Sequence, residues 1–317
     1  MKKTRKKTAR KKTKRLDAVY TGRLKKPDIK HVTPLIELAI REDFGKGDPT
    51  SEITVGANEF ARASLVSREE IVVCGMEIAA EIFKRYDPRL TLKPFVEDGC
   101  RASVAQRLGV IEGPLRPMLS AERVVLNFLQ RLCGISTMTW KFVSATRGTR
   151  AKIYDTRKTI PGWRELEKYA VRCGGGYNHR MNLGEAVMFK DNHIAELGRR
   201  FVPRLSRMIK EAREQHGVSW VVVEVDHVDN QLDRVLKIPG IDVILLDNMG
   251  QWQLKHAVQM RNEMCGGKRP LLEASGGITL NNVLTVASCG VDRIAVGAIT
   301  HSAVAADIGL DRDTIDY

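Results

Sequence analysis

Five cationic side chains stand in three short stretches near the middle of the chain: Arg157 and Lys158, then His179 and Arg180, then Lys190. Arginine grips carboxylates and phosphates with a planar fork, and lysine offers a point charge. The group therefore reads as a receptor for an anion. Three carboxylates follow, Glu224, Asp226 and Asp247. Carboxylates beside an anion site call for a cation between them. Magnesium takes one or two carboxylates and fills its other positions with water and substrate phosphate. The plainer alternative is that these acids simply pair with the bases, and both can hold in the empty protein. A third group is rich in glycine, Ser275-Gly276-Gly277 and Gly297-Ala298. Backbone N–H groups in such stretches suit a phosphate, although Ser-Gly-Gly by itself is also an ordinary turn.

All three groups sit at the ends of short apolar runs, A-K-I-Y-D, A-V-M-F-K, W-V-V-V-E-V-D, V-I-L-L-D, L-L-E-A-S and R-I-A-V-G. Their marker residues Asp155, Lys190, Glu224, Asp247, Glu273 and Gly297 are 23 to 35 residues apart, room for a helix and loops each time. Repeated strand–helix units with polar groups at the strand carboxyl ends predict an α/β barrel. An open doubly wound sheet is the alternative. Convergence of six strand ends then implies a ligand with one phosphate, a magnesium-bound polyphosphate and a separate carboxylate partner. Phosphoribosyl pyrophosphate with a small aromatic acid meets all three demands.

Upstream, residues 32–43 predict a helix capped by Thr33 with Pro34 in its first turn. Residues 60–73 predict a strand, residues 75–86 a helix, and residues 90–113 short strands turning at Asp98-Gly99 and Gly113-Pro114. A strong helix follows, with Ser120 as its cap. Val124, Val125, Phe128, Leu129 and Leu132 form its apolar face, and Arg123, Asn127 and Gln130 lie on another. These elements read as a mixed α+β layer behind a basic tail (1–28).

Apolar residues are 43% and charged residues 28% of 317, a globular balance. No run is long enough to span a bilayer, and no signal-peptide pattern is present, so the expected location is the cytoplasm. The net charge of +14 is concentrated: residues 1–26 carry +12 and the rest +2. A block of that kind is normally a solvated extension. It lacks the interleaved aromatics of a nucleic-acid module, and nucleic-acid contact is the minority reading. Six dilute cysteines without a C-x-x-C pair read as reduced thiols rather than a disulfide framework or a zinc site. Cys173 reads as packing, His193 as ordering its loop, and Trp163, Trp220 and Trp252 as core or interface.

Several stretches carry a family resemblance: E-D-F-G-K-G-D-P-T-S (42–51), the run from Glu112 to Thr137, D-T-R-K-T-I-P-G-W-R (155–164), K-Y-A-V-R-C-G-G-G-Y-N-H-R (168–180), F-K-D-N-H-I (189–194), L-L-D-N-M (245–249) and L-E-A-S-G-G-I (272–278). From about residue 32 to its end the chain resembles quinolinate phosphoribosyltransferases. The resemblance implies an N-terminal α/β sandwich (29–132, rejoined by 302–317), an incomplete α/β barrel (133–301), and a homodimer or multiple of dimers in which Arg123 completes the neighbour's site. It assigns Arg157, His179, Arg180 and Lys190 to quinolinate, and Lys158 and Lys190 to phosphoribosyl pyrophosphate. Ser275, Gly276, Gly277, Gly297 and His301 go to phosphate. Asp247 becomes the magnesium-side acid, with a partner expected 21 residues earlier at Asp226. Glu224 lies two residues before that, on the same strand face. Cys133 stands where serine is common, and Pro49 where an aliphatic residue is usual.

The implied chemistry is transfer of phosphoribosyl to the pyridine nitrogen with release of pyrophosphate and CO2. Two rival readings are a paralogous phosphoribosyltransferase using another aromatic acid, and a Schiff-base aldolase-type barrel acting through Lys190.

Overall fold

The computed structural model describes residues 26–190, 193, 201–216, 218, 220–267 and 269–312. Residues 1–25 of the basic tail, Asp191 and Asn192 of the K-D-N-H stretch, and residues 313–317 lie outside them. The first elements are the helices Ile29–Phe44 and Pro49–Thr54 and the strands β1 (Phe60–Ser67) and β2 (Ile71–Val72). The helix Met76–Tyr86 and strands β3 (Thr91–Pro94), β4 (Arg101–Ala102) and β5 (Arg107–Pro114) follow. The helix Leu115–Ala145, 31 residues long, comes next. Then come the parallel strands β6 (Lys152–Tyr154), β7 (Ala186–Phe189), β8 (Trp220–Val225), β9 (Val243–Asp247), β10 (Leu271–Ser275) and β11 (Arg293–Ala295), and last β12 (Ile308–Arg312).

The sheets have the orders β12-β1-β5-β3, β2-β4 and β6-β11-β10-β9-β8-β7. In the six-stranded sheet the order runs from β7 to β11 in sequence and then returns to β6. A doubly wound sheet would reverse at an interior switch point; this order is a ring with one gap, between β6 and β7. A single parallel bridge, Tyr154 to Tyr177, lies at that gap. The structure is thus an open α/β barrel beside an antiparallel sheet with helices. Strand β12 returns to pair antiparallel with β1.

Three helix and strand boundaries differ from the sequence expectation. The first helix begins at Ile29, where the Asp28 carboxylate accepts the Lys30 N–H at 3.0 Å. Thr33 sits inside it, with its hydroxyl donating to the Ile29 carbonyl, and Pro34 is interior too. A carboxylate one turn earlier supplies the cap, and Val32 and Ile36 keep one face buried. Ser120 is likewise no cap. The long helix leaves β5 directly through Pro114 (φ −60°, ψ 131°), so Gly113-Pro114 is a strand end rather than a turn between strands. Ser120 instead donates to Asp48 at 2.8 Å. Residues 60–73 break into two strands because Ser67 bonds the Glu69 carbonyl at 2.6 Å and turns the chain. That sends β2 to pair with β4.

The long helix holds the molecule together. Its apolar face, Val124, Val125, Phe128, Leu129 and Leu132, is fully buried. It passes residue 132 without interruption and touches helices of both layers. It also grips the returning chain: Gln130 accepts the Ala306 N–H through its carbonyl and donates its amide to the Ile308 carbonyl at 2.9 Å. Among the described residues no helix is long and apolar enough to cross a membrane.

Gly134 marks the closest point of that docking. A Cβ there would lie 2.0 Å from the Val304 carbonyl oxygen and 3.2 Å from the Ala305 Cα. In an open helix, alanine would be better than glycine by about 1 kcal/mol. Here the sign reverses. Gly134→Ala is expected to destabilise by about 1–3 kcal/mol, read as a lower urea midpoint, and a raised midpoint would contradict the packing.

Candidate active site

Successive residues of a strand face opposite sides, so alternate positions on parallel strands line the barrel interior. The registers bring Trp220 beside Ala186, Val222 beside Val243, Leu245 beside Glu273, and Glu273 beside Arg293. The lower interior is apolar, formed by Ala186, Trp220, Val222, Val243 and Leu245. Above it opens a cavity of about 640 Å³.

Arg157, Lys158, His179, Arg180, Lys190, Glu224, Asp247, Ser275, Gly276, Gly277, Gly297 and His301 all line this cavity. Two expected residues do not. Arg123 is exposed on the long helix, away from the cavity of its own chain. Asp226 lies half-buried just past the end of β8 and is absent from the lining, whereas Glu224 is buried within it. Counting back from Asp247 favoured Asp226, but counts across a connection fail when its length varies. A π-helical turn, Val228–Leu232, occupies this connection. Depth along the strand is what brings Glu224, and not Asp226, into the cavity lining.

Strand order arranges these groups around the rim. The β6 end, the gap and β7 carry Arg157, Lys158, His179, Arg180 and Lys190. Next come Glu224 on β8 and Asp247 on β9, then Ser275 on β10 and Gly297 after β11. The rim therefore has a cationic arc, an acidic arc and a glycine arc, each contiguous. At the first boundary Lys190 Nζ lies 3.3 Å from Glu224 Oε2, so pairing of acids with bases holds as well. Lys190 N–H also donates to His193 Nδ1 at 3.1 Å.

The cationic arc is built by buried polar contacts. Asp155, fully buried at the end of β6, accepts from Lys168, from Asn178 at 2.6 Å and from the His179 N–H at 2.7 Å. Burial pushes its carboxyl up, against the pull of Lys168 and those donors. Glu167 binds Arg131 of the long helix, and Arg131 also donates to the Thr300 and Ala303 carbonyls. Arg164 holds the 157–160 loop through Thr159 Oγ1 at 3.0 Å. Arg180 donates to the Ala186 carbonyl at 2.8 Å. Burial, and then the charge of Arg157, push Arg180 down. Two guanidinium groups close enough to oppose one another are relieved by a shared anion.

In the glycine arc the N–H groups of Gly276, Gly277 and Ile278 make no hydrogen bond among the described residues. Gly276 has φ +89°, and a Cβ would stand 2.1 Å from Asn248 Oδ1. Asn248 in turn donates to Asp247 Oδ2 at 2.8 Å. Glycine at 276 is thus needed to seat the acid next to it.

The residue that sequence reasoning missed is Glu273. It served there only as a strand marker, yet it lines the cavity floor and is fully buried. His179 Nε2 lies 3.4 Å from Glu273 Oε1, and Arg293 pairs with the other oxygen. The Arg293 guanidinium sits 3.7 Å from the Tyr154 ring centroid and 5.0 Å from that of Trp220. Since His179 Nδ1 accepts the Arg180 N–H at 2.8 Å, a neutral ring carries its proton on Nε2, toward Glu273. The available signal was parity, because Glu273 precedes Ser275 by two on one strand face.

Burial pushes the Glu273 carboxyl up, but Arg293 and His179 outweigh it and hold it at about 2, below its ordinary 4.5. With the folded value below the unfolded one, the unfolded chain binds more protons between the two. Stability from this group is present above 4.5 and is lost as pH falls toward 2. Glu273→Gln should lower stability at neutral pH and flatten the acid limb of the urea-midpoint profile below pH 4.5. An acid limb as steep as that of the unmodified protein would remove Glu273 from this account.

Residues 48–133 match the quinolinate phosphoribosyl transferase N-terminal domain, and residues 135–311 match its C-terminal domain. A nicotinate-nucleotide pyrophosphorylase [carboxylating] of Mycobacterium leprae is 43% identical over 281 residues, 87% of this chain and 95% of that one. The structure of the nicotinate-nucleotide pyrophosphorylase from Francisella tularensis is similar with a TM-score of 0.83 at 33% identity, covering 92% of this chain and 99% of that one. The corresponding Ehrlichia chaffeensis structure gives 0.80 at 36% identity, over 89% and 98%. With both domains matched in order and the rim residues gathered in one cavity, the chain belongs to the quinolinate phosphoribosyltransferase family.

Proposed function

We propose that this protein transfers the phosphoribosyl group of phosphoribosyl pyrophosphate to quinolinate, giving nicotinate mononucleotide, pyrophosphate and CO2, a step of NAD biosynthesis. The observation that carries this reading is the order of the three arcs around one rim. A dicarboxylate fits the cationic arc, a metal-bound pyrophosphate the acidic arc, and a terminal phosphate the glycine arc.

Arg157, His179 and Arg180 bind the two carboxylates of quinolinate and orient its ring nitrogen. Lys158 and Lys190 meet the donor phosphates. Ser275, Gly276, Gly277, Gly297 and His301 hold the 5′-phosphate. The nitrogen lone pair forms the new bond to the anomeric carbon while the bond to pyrophosphate breaks and its electron pair leaves with pyrophosphate. Positioning and charge carry such a step, with no covalent enzyme intermediate. The ring nitrogen is then cationic. It draws the electrons of the adjacent carbon–carboxylate bond into the ring, CO2 departs, and the ring carbon takes a proton. Lys190 is the cation assigned to steady that charge movement.

Magnesium suits the acidic arc, since Glu224 and Asp247 offer the one or two hard oxygen ligands that it takes beside substrate phosphate. Bound there, it supplies neutralisation of the leaving pyrophosphate. A Schiff-base reading of Lys190 is disfavoured, because that chemistry has no use for Arg157 and Arg180, which line the same cavity, or for the Glu224 carboxylate 3.3 Å from the amine. An acid with a single carboxylate would leave part of the receptor formed by Arg157, His179 and Arg180 unused. The cytoplasm remains the assigned location, and no described cysteine is in a disulfide.

Arg157→Ala should reduce kcat/KM for quinolinate by about a hundredfold or more, with circular dichroism unchanged; kinetics equal to the unmodified protein would sink the assignment. Arg123 is assigned to the neighbouring chain's cavity in a homodimer or a multiple of dimers. Mixing separately inactive Arg123→Ala and Lys190→Ala proteins, with subunit exchange, should then restore about a quarter of normal activity through one intact site per mixed dimer. No recovery despite proven exchange would place Arg123 elsewhere.

A further inference from the structure

Three buried or half-buried groups meet outside the lining of the catalytic cavity. Cys74 follows β2, Asp98 lies between β3 and β4, and Cys173 ends the helix Arg164–Cys173. Their sulfur and carboxylate oxygen atoms all lie within 4.8 Å of one another. Cys74 is completely buried, Cys173 is 7% exposed, and Asp98 reaches the surface in part. We propose that Cys74, Asp98 and Cys173 form a binding site for a thiophilic divalent cation, zinc by its chemistry, which clamps the N-terminal layer to the barrel.

The donor set suits that ion. Zinc takes thiolate sulfur at about 2.3 Å and carboxylate oxygen at about 2.0 Å in a tetrahedron, so its ligands stand roughly 3.3–3.8 Å apart. Small side-chain rotations close the present spacing to that. Two thiolates and one carboxylate leave one position, which water can fill from the partly open Asp98 side. Two protons leave the thiols on binding.

The supporting contacts are those a metal site needs. Asp98 Oδ2 accepts the Gly75 N–H at 3.0 Å and the Tyr169 hydroxyl at 2.8 Å, and Oδ1 accepts the Met76 N–H at 3.1 Å. A carboxylate has room for about four such contacts, so Oδ1 keeps a free lone pair. Cys133 Sγ accepts the Cys74 N–H at 3.3 Å and fixes its backbone. Capping of the helix Met76–Tyr86 explains Asp98 without a metal. It does not explain why two cysteines from separate layers are turned toward that carboxylate.

The clamp would also touch catalysis. Cys173 closes the helix whose Glu167 and Lys168 hold the 157–160 loop and the His179 backbone. Cobalt(II) is the direct probe, because thiolate ligation gives a charge-transfer band in the near ultraviolet. Titrating the full chain, freed of metal by chelation, should give a saturable band at about one equivalent, with the intensity of two thiolates, displaced by zinc. Zinc should raise the melting temperature of the unmodified protein. Cys173→Ser and Cys74→Ser should lose the band and the shift, while Cys265→Ser, altered at a distant thiol, should keep both. Absence of a saturable band in the unmodified chain would overturn the proposal without any variant. So would a band that survives in either Cys74→Ser or Cys173→Ser.

Discussion

A strand can present only every second residue to one side. Six parallel strands bent into a ring therefore send alternate residues of each into one small space, in layers. In this protein one part of that space is apolar, and the cavity above it is lined by Glu273, next to Arg293, and by Lys190, Glu224, Asp247 and Ser275. The charge of the site follows from that geometry. Groups 23 to 35 residues apart in sequence become neighbours because their strands are neighbours. The gap between β6 and β7 is part of the same design, since it is there that His179 and Arg180 enter the rim from a loop.

Strands alone would not hold the cationic arc. Like charges gathered in one place oppose folding, and a buried ion pair barely offsets its own desolvation. What Arg131, Glu167, Asp155 and Lys168 contribute is geometry. Arg131 reaches from the long helix to Glu167 and to two carbonyls of the closing segment, and Lys168 ties Asp155 to the carbonyl of His179. The long helix is consequently the bracket on which the catalytic loop, the returning chain and the N-terminal layer are all hung. The family's two domain matches meet within it, between residues 133 and 135.

Much of this was legible in the sequence. The six strands were visible because each is a short apolar run ending in polar or glycine residues, and the residues at those ends are most of those that line the cavity. The family motifs placed most of the cavity. Helix starts were less legible. Thr33 and Ser120 look like caps, but the carboxylate of Asp28 caps the first helix, and the long helix continues straight from β5 through Pro114 with no side-chain cap. Spacing misled at Asp226, since the length of a connection says nothing about depth in a barrel. Arg293 and Glu273 were hidden because their roles depend on pairing across adjacent strands. Cys74 and Cys173 were hidden for the same reason: 99 residues apart, they carry no ligand-like spacing, and only the fold brings their sulfurs together.

The central claim is that the three arcs select a dicarboxylate acceptor and a magnesium-bound phosphoribosyl donor. The most direct test supplies purified protein with phosphoribosyl pyrophosphate, magnesium and quinolinate carrying labelled carbon in the carboxylate next to the ring nitrogen. Labelled CO2 and nicotinate mononucleotide should appear in equal amounts, stop on chelation of magnesium, and fail to form when nicotinate replaces quinolinate. Equal turnover with nicotinate, or none with quinolinate, would contradict the account of the cationic arc.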